Sequence, residues 1–163
     1  LDLATRLEAT GAAEQALSVL GASRVREDDP RRRLVEARAF FDLDRLAEAE
    51  TRLLGLDDPE ARLLRAELRA ALGDFAMATD AFAALDRTDR SVEAAWLGGD
   101  WTRVAGADGV FGSAAALVVT PNEAAEAVGP GAPSLSALEA LVGESDAARG
   151  ALTELLRATA IDG

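Results

Sequence analysis

Two acidic pairs, Asp28–Asp29 and Asp57–Asp58, are the first residues whose type and spacing could do chemistry. A glycoside hydrolase needs two carboxylates facing each other across a cleft. Here each pair stands directly before a proline, in "EDDP" and "LDDP". That is where acidic residues cap helices and solvate turns. "GADGVFG" at 106–112 is rich in glycine but follows no expected strand, so it is not a nucleotide-binding turn. "DLDRLAEAE" lacks the spacing and the central glycine of a calcium loop. Cys, His, Tyr and Lys are absent, and all 17 basic residues are Arg. This removes thiolate nucleophiles, histidine or cysteine metal ligation, Schiff bases and the phosphate-loop lysine. No catalytic constellation, metal or cofactor is expected, and the chain reads as a non-enzyme.

The charge balance narrows the partners. A net charge of −12 repels phosphate backbones, so nucleic acid is not an expected partner. The one basic cluster, Arg31 to Arg33, follows "EDDP" and reads as the solvated start of a helix. "AAALVV" at 114–119 falls far short of the roughly 20 apolar residues of a membrane span, so no membrane insertion is expected. Without cysteines the compartment stays open between cytoplasm and periplasm, with cytoplasm favoured. The opening Leu1 reads as part of a longer or processed chain. Oligomeric state and partner identity are not legible.

The elements that must position these residues are helices. The chain is 49% hydrophobic but only 4% aromatic, and alanine supplies much of the apolar content. Such material suits helices that approach closely and does not suit a β-sandwich. A Gly-Asp-aromatic triplet occurs twice, as Gly73-Asp74-Phe75 and Gly99-Asp100-Trp101. Aligning the chain on it places turns at Gly11, Asp44, Gly73 and Gly99, at intervals of 33, 29 and 26 residues. Helical periodicity lies on both sides of each turn. Leu64, Leu68 and Leu72 recur before one, and Phe75, Ala78 and Phe82 after it. The glycine ends the first helix in a left-handed conformation, and the Asp after it can cap the second.

This pattern resembles the tetratricopeptide repeat, a unit of two antiparallel helices with small residues where they cross. The matches are Ala4, Leu7, Gly11, Ala16 and Leu20 in the first repeat. In the second they are Ala37, Phe40, Ala49 and Leu53, and in the third Ala66, the turn at Gly73, Ala78 and Phe82. The fourth keeps Gly99-Asp100-Trp101 but carries Val92 in place of the small residue. Two intervals, 29 and 26, fall well short of the family's ~34 residues, and its usual proline is displaced, to Pro30 and Pro59, or missing.

The resemblance implies an all-α, right-handed superhelical solenoid of stacked hairpins. Repeats are expected over 1–112, at about 1–23, 31–58, 60–87 and 90–112, with a helical capping segment over 113–163. Gly106, Gly109 and Gly112 break the fourth unit, and in the capping segment a short helix occupies about 113–119. Thr120, Pro121 and Glu123 open a helix running to Val128, 129–134 form a loop, and 134–161 a closing hairpin. Its helices start at a Ser136–Glu139 box and at Ser145.

The function implied is that of a protein–protein interaction scaffold holding a peptide or helix in its concave face. By the family's geometry the inward column of the first helices comprises Arg38, Phe41, Glu67, Glu93 and Trp96. The aromatic pair would anchor the partner and the acidic balance would favour basic, apolar segments. Members that grip a C-terminal carboxylate use Lys and Asn. Lys is absent here and the only Asn is Asn122, outside the repeats, so a chaperone-docking role is not expected. Trp101 occupies the Phe75 position and reads as core. The alternative function is a structural spacer or self-association segment of a larger polypeptide with no separate ligand.

Overall fold

The computed structural model describes residues 1–119 and 135–159. The first helices are α1 (Asp2–Ala9), α2 (Ala13–Gly21), α3 (Pro30–Asp42), α4 (Leu46–Leu53), α5 (Pro59–Ala71) and α6 (Phe75–Ala83). They continue with α7 (Thr88–Leu97), α8 (Trp101–Ala105), α9 (Val110–Val119) and α10 (Leu135–Thr159). No strand occurs among the described residues. The chain divides into two compact units, Leu1–Ser91 and Val92–Gly163.

The helix breaks at the expected turns share one local cause. Gly11, Asp44, Gly73 and Gly99 all take positive φ, at 77°, 57°, 81° and 74°. At each, the same two backbone bonds close the preceding helix. In the first, the Gly11 N–H donates to the Glu8 carbonyl at 2.8 Å and the Ala12 N–H to the Leu7 carbonyl at 2.8 Å. The pair recurs for Asp44 and Arg45, for Gly73 and Asp74, and for Gly99 and Asp100. This left-handed closure satisfies carbonyls that a helix end leaves orphaned. Asp86, at φ 56°, repeats it after α6.

The acidic pairs work at the opposite helix ends. Asp29 accepts the N–H groups of Arg31 and Arg32, and Asp58 that of Ala61, each with a proline at the first helical position. Asp28 and Asp57 instead pair with Arg26 and Arg62. The cap expected after the turns forms at Asp100, which accepts from the Arg103 N–H at 3.1 Å. At Asp74 it does not form, because that carboxylate turns back to Arg69 at 3.1 Å.

In the first unit the helices pack within hairpins (α1 on α2, α3 on α4, α5 on α6) and between them (α2 on α3, α4 on α5). The first helices of the hairpins also touch, α1 on α3 and α3 on α5. The small residues of the repeat sit at these crossings. Ala4, Ala16, Ala37, Ala49, Ala66 and Ala78 are buried, as are Leu20, Leu53 and Phe82. Leu72 departs from its periodic row and is exposed, because it caps α5 after the last inward position at Leu68.

The "RRR" cluster is not uniformly solvated. Arg32 is buried, its Nε donating to Glu36 at 2.8 Å and its Nη1 to the Val25 carbonyl at 2.6 Å. Arg52 of α4 lies 3.0 Å from the other Glu36 oxygen. A carboxylate between two guanidiniums keeps both buried charges matched.

In the second unit α8 packs on α9 and α9 on α10, around Ala95, Val104 and Ala115. Gly106 ends α8, whereas Gly112 lies inside α9. A β-carbon at Gly112 would run into the Ala107 carbonyl, so that glycine permits a close approach and is no break. The closing hairpin expected over 134–161 is instead one helix, which runs through Gly143 and Ser145 without interruption. Extending a formed helix adds a bond per residue, whereas a new start must nucleate again. The helix expected from Thr120 to Val128, with its Pro121 and Glu123, and the loop at 129–134 lie outside the described residues.

Candidate partner-binding surface

Three of the five residues of the expected inward column belong to the first unit, and the structure joins two of them directly. Arg38 on α3 and Glu67 on α5 form an ion pair, Nη1 to Oε2 at 2.8 Å, with both side chains partly buried. Their sequence separation matches one interval of the turns, so neighbouring first helices present them at one level. Phe41, one turn along α3, is half-buried against the Leu53–Leu64 and Phe40–Leu68 clusters. Glu8 on α1 extends the row. Burial pushes its carboxyl above the usual range, the nearby Arg38 opposes this, and Asp42 adds to it. Charge thus alternates across α1, α3 and α5 as Glu8, Arg38 and Glu67.

Glu93 and Trp96 lie on α7 in the second unit. Glu93 is exposed. Trp96 is half-buried, edge-on to Trp101 with ring centroids 4.9 Å apart and tilted against Phe111 at 5.3 Å. All three rings pack on the Val104 cluster. Trp101 therefore has the packing role its repeat position implied, and Trp96 shares it. Edge-to-face contacts of this kind stabilise beyond the area they bury.

Sequence reasoning did not single out Glu8, although it lies one position from the repeat residue Leu7. The leucine periodicity of α5 hides a second row on that helix, Arg62, Arg65 and Arg69. Their spacing of three and four residues was the available signal. Among the described residues, no helix is long and apolar enough to cross a membrane. Compared with known proteins, the chain matches no protein-family model, no curated protein and no solved structure.

Proposed function

We propose that the chain is a protein–protein interaction scaffold of the tetratricopeptide-like solenoid kind, which takes up a peptide or helix of a partner on the face of α1, α3 and α5. The observation that carries this reading is the recurrence, at the four expected hairpin turns, of one left-handed turn with one hydrogen-bond pair. In the first unit these turns set the first helices side by side. Glu8, Arg38, Phe41 and Glu67 then fall on their shared face, giving alternating charge beside a half-buried aromatic ring. A partner segment with basic and apolar residues matches Glu8 and Glu67 and covers Phe41. Electrostatics would govern the encounter and the aromatic contact the lifetime.

The test is capture of partners from the native host by the wild-type chain and by Arg38→Ala and Glu67→Ala variants, each checked for folding by circular dichroism. Loss of a protein from the captured set in both variants supports the reading. An identical set in all three rejects it. For the captured partner, added salt slows association more than it speeds dissociation.

A second reading, a structural or self-associating segment of a larger polypeptide, draws on the second unit. There Trp96 packs internally, while Leu117 and Val118 of α9 and Val142, Leu152 and Leu156 of α10 are exposed. Sedimentation at rising concentration separates the two, because a self-associating segment gains mass where a scaffold for other proteins does not.

A further inference from the structure

The guanidinium row of α5 lies on another side of the first unit from the Arg38–Glu67 pair. Arg62, Arg65 and Arg69 recur at helical spacing in the space between α4 and α6. Two cavities flank them. One, of about 370 Å³, is bounded by α4 and the Leu54–Asp57 turn. The other, of about 280 Å³, is bounded by α6 and floored by Ala66, Ala81 and Ala84. Arg65 and Arg69 line both.

The three charges are not equally matched. Arg62 holds Asp57 through two bonds of 2.9 Å, and the pair keeps the Asp57 carboxyl below its usual range. Arg69 holds Glu50 at 3.2 Å and Asp74 at 3.1 Å. Among the described residues Arg65, between them, donates to neutral acceptors alone, the Leu53 and Leu56 carbonyls at 3.2 and 2.5 Å, and its charge acts on the Asp57 carboxylate without a bond. Both bonds come from Nη2, and among the described residues neither Nε nor Nη1 makes one. Each cavity also has an apolar residue turned to solvent: Leu54, 65% exposed, at one, and Met77, 59% exposed, at the other.

We propose that this groove docks an acidic, apolar segment of a protein partner. One carboxylate of that segment sits on Arg65, and an apolar side chain on either side of it enters each cavity, against Leu54 and against Met77. Charge complementarity selects the occupant. A half-buried guanidinium without a bonded carboxylate, between two paired ones, accepts an anion and rejects a cation. The apolar floor requires that the anion come with aliphatic neighbours. This site is separate from the α1, α3 and α5 face, and it wants a partner of opposite charge.

The test uses the full chain and a fluorescein-labelled synthetic helix in which a central Glu is flanked by Leu one turn before and one turn after. Its counterpart carries Lys in place of that Glu. Anisotropy titration should show saturable binding of the Glu peptide and at least about tenfold weaker binding of the Lys peptide, a gap of ~1.4 kcal/mol. Arg65→Gln should weaken the Glu peptide by a similar factor. Because Arg65 also holds two carbonyls, Met77→Asp and Leu54→Asp provide the independent variants. Both sites are exposed, so these should weaken binding while leaving the helical signal and the urea midpoint unchanged. Arg38→Ala should leave it intact, whatever becomes of the other face. Absence of saturable binding, equal affinity for the two peptides, or indifference to Met77→Asp would overturn the proposal. A dimer of the chain itself that Met77→Asp dissolves would also overturn it, by assigning the groove to a second copy.

Discussion

Phe82 is 1% exposed and lies beneath the guanidinium of Arg90, 5.4 Å from its ring. Removing a ring so enclosed leaves a cavity that helices on either side cannot close. Phe82→Ala should therefore cost about 3–5 kcal/mol, a large part of a total of about 5–15 kcal/mol. Asp28→Ala breaks only an exposed pair with Arg26 and should cost less than about 1 kcal/mol. Urea denaturation of the two variants checks the contrast, and equal midpoints would remove Phe82 from the core. Glu8 supplies a pH signature. Its carboxyl is raised above the usual range by burial, so the folded state holds that proton more tightly than the unfolded chain. Stability from this group therefore falls as pH rises from the ordinary glutamate value through the raised one, and the penalty persists at neutral pH. Glu8→Gln should stabilise the protein at neutral pH, and the gain should vanish below the ordinary carboxylate range. Melting curves across pH for both proteins test the sign.

At the scale of the element, the turns carry the clearest prediction. Asp44 adopts the same left-handed backbone as the three glycines but carries a side chain, at a conformational cost. Asp44→Gly should stabilise by about 0.5–1 kcal/mol, after the extra freedom that Gly has in the unfolded chain is deducted. Gly73→Ala should destabilise by about 1 kcal/mol. A methyl group there meets nothing within 4 Å, so the cost is in the backbone alone. Opposite signs in urea melts confirm that the two positions are one motif. These turns were legible in the sequence because positive φ admits few residue types and so leaves a written trace. The buried alanines were legible for the same reason, since close crossings admit little else. The burial of Arg32 was not, because it depends on Arg52 of the next helix and on the Val25 carbonyl. Nor was the continuity of α10, where Gly143 and Ser145 resemble a stop but weigh less than propagation. In the candidate site, Arg38 and Glu67 could be placed in one column from the repeat interval. Their ion pair, the share of Glu8, and the packing of Trp96 on Phe111 needed the fold.

At the scale of the whole molecule, charge is the dominant feature. A net −12 on 163 residues repels itself in the compact state, while the exposed ion pairs contribute little. Raising salt from ~0.01 M to ~0.15 M shortens the screening length from about 30 to about 8 Å, so stability should rise. Urea titrations at the two ionic strengths measure this, and a fall would mean that the ion pairs outweigh the repulsion. Both tryptophans lie in the Val92–Gly163 unit, so their emission reports on that unit while circular dichroism reports on all helices. The recurring turn has a further consequence, for amide hydrogen exchange. Surface turns ordinarily trade their protons with solvent quickly, yet at five places among the described residues, four of them the turns inside hairpins, two successive turn amides are bonded back into the preceding helix. Each such couplet is released only when its helix end opens. Gly11–Ala12, Asp44–Arg45, Gly73–Asp74 and Gly99–Asp100 thus form four built-in clocks, one per hairpin. Their relative rates would rank the hairpins by local stability without a single substitution.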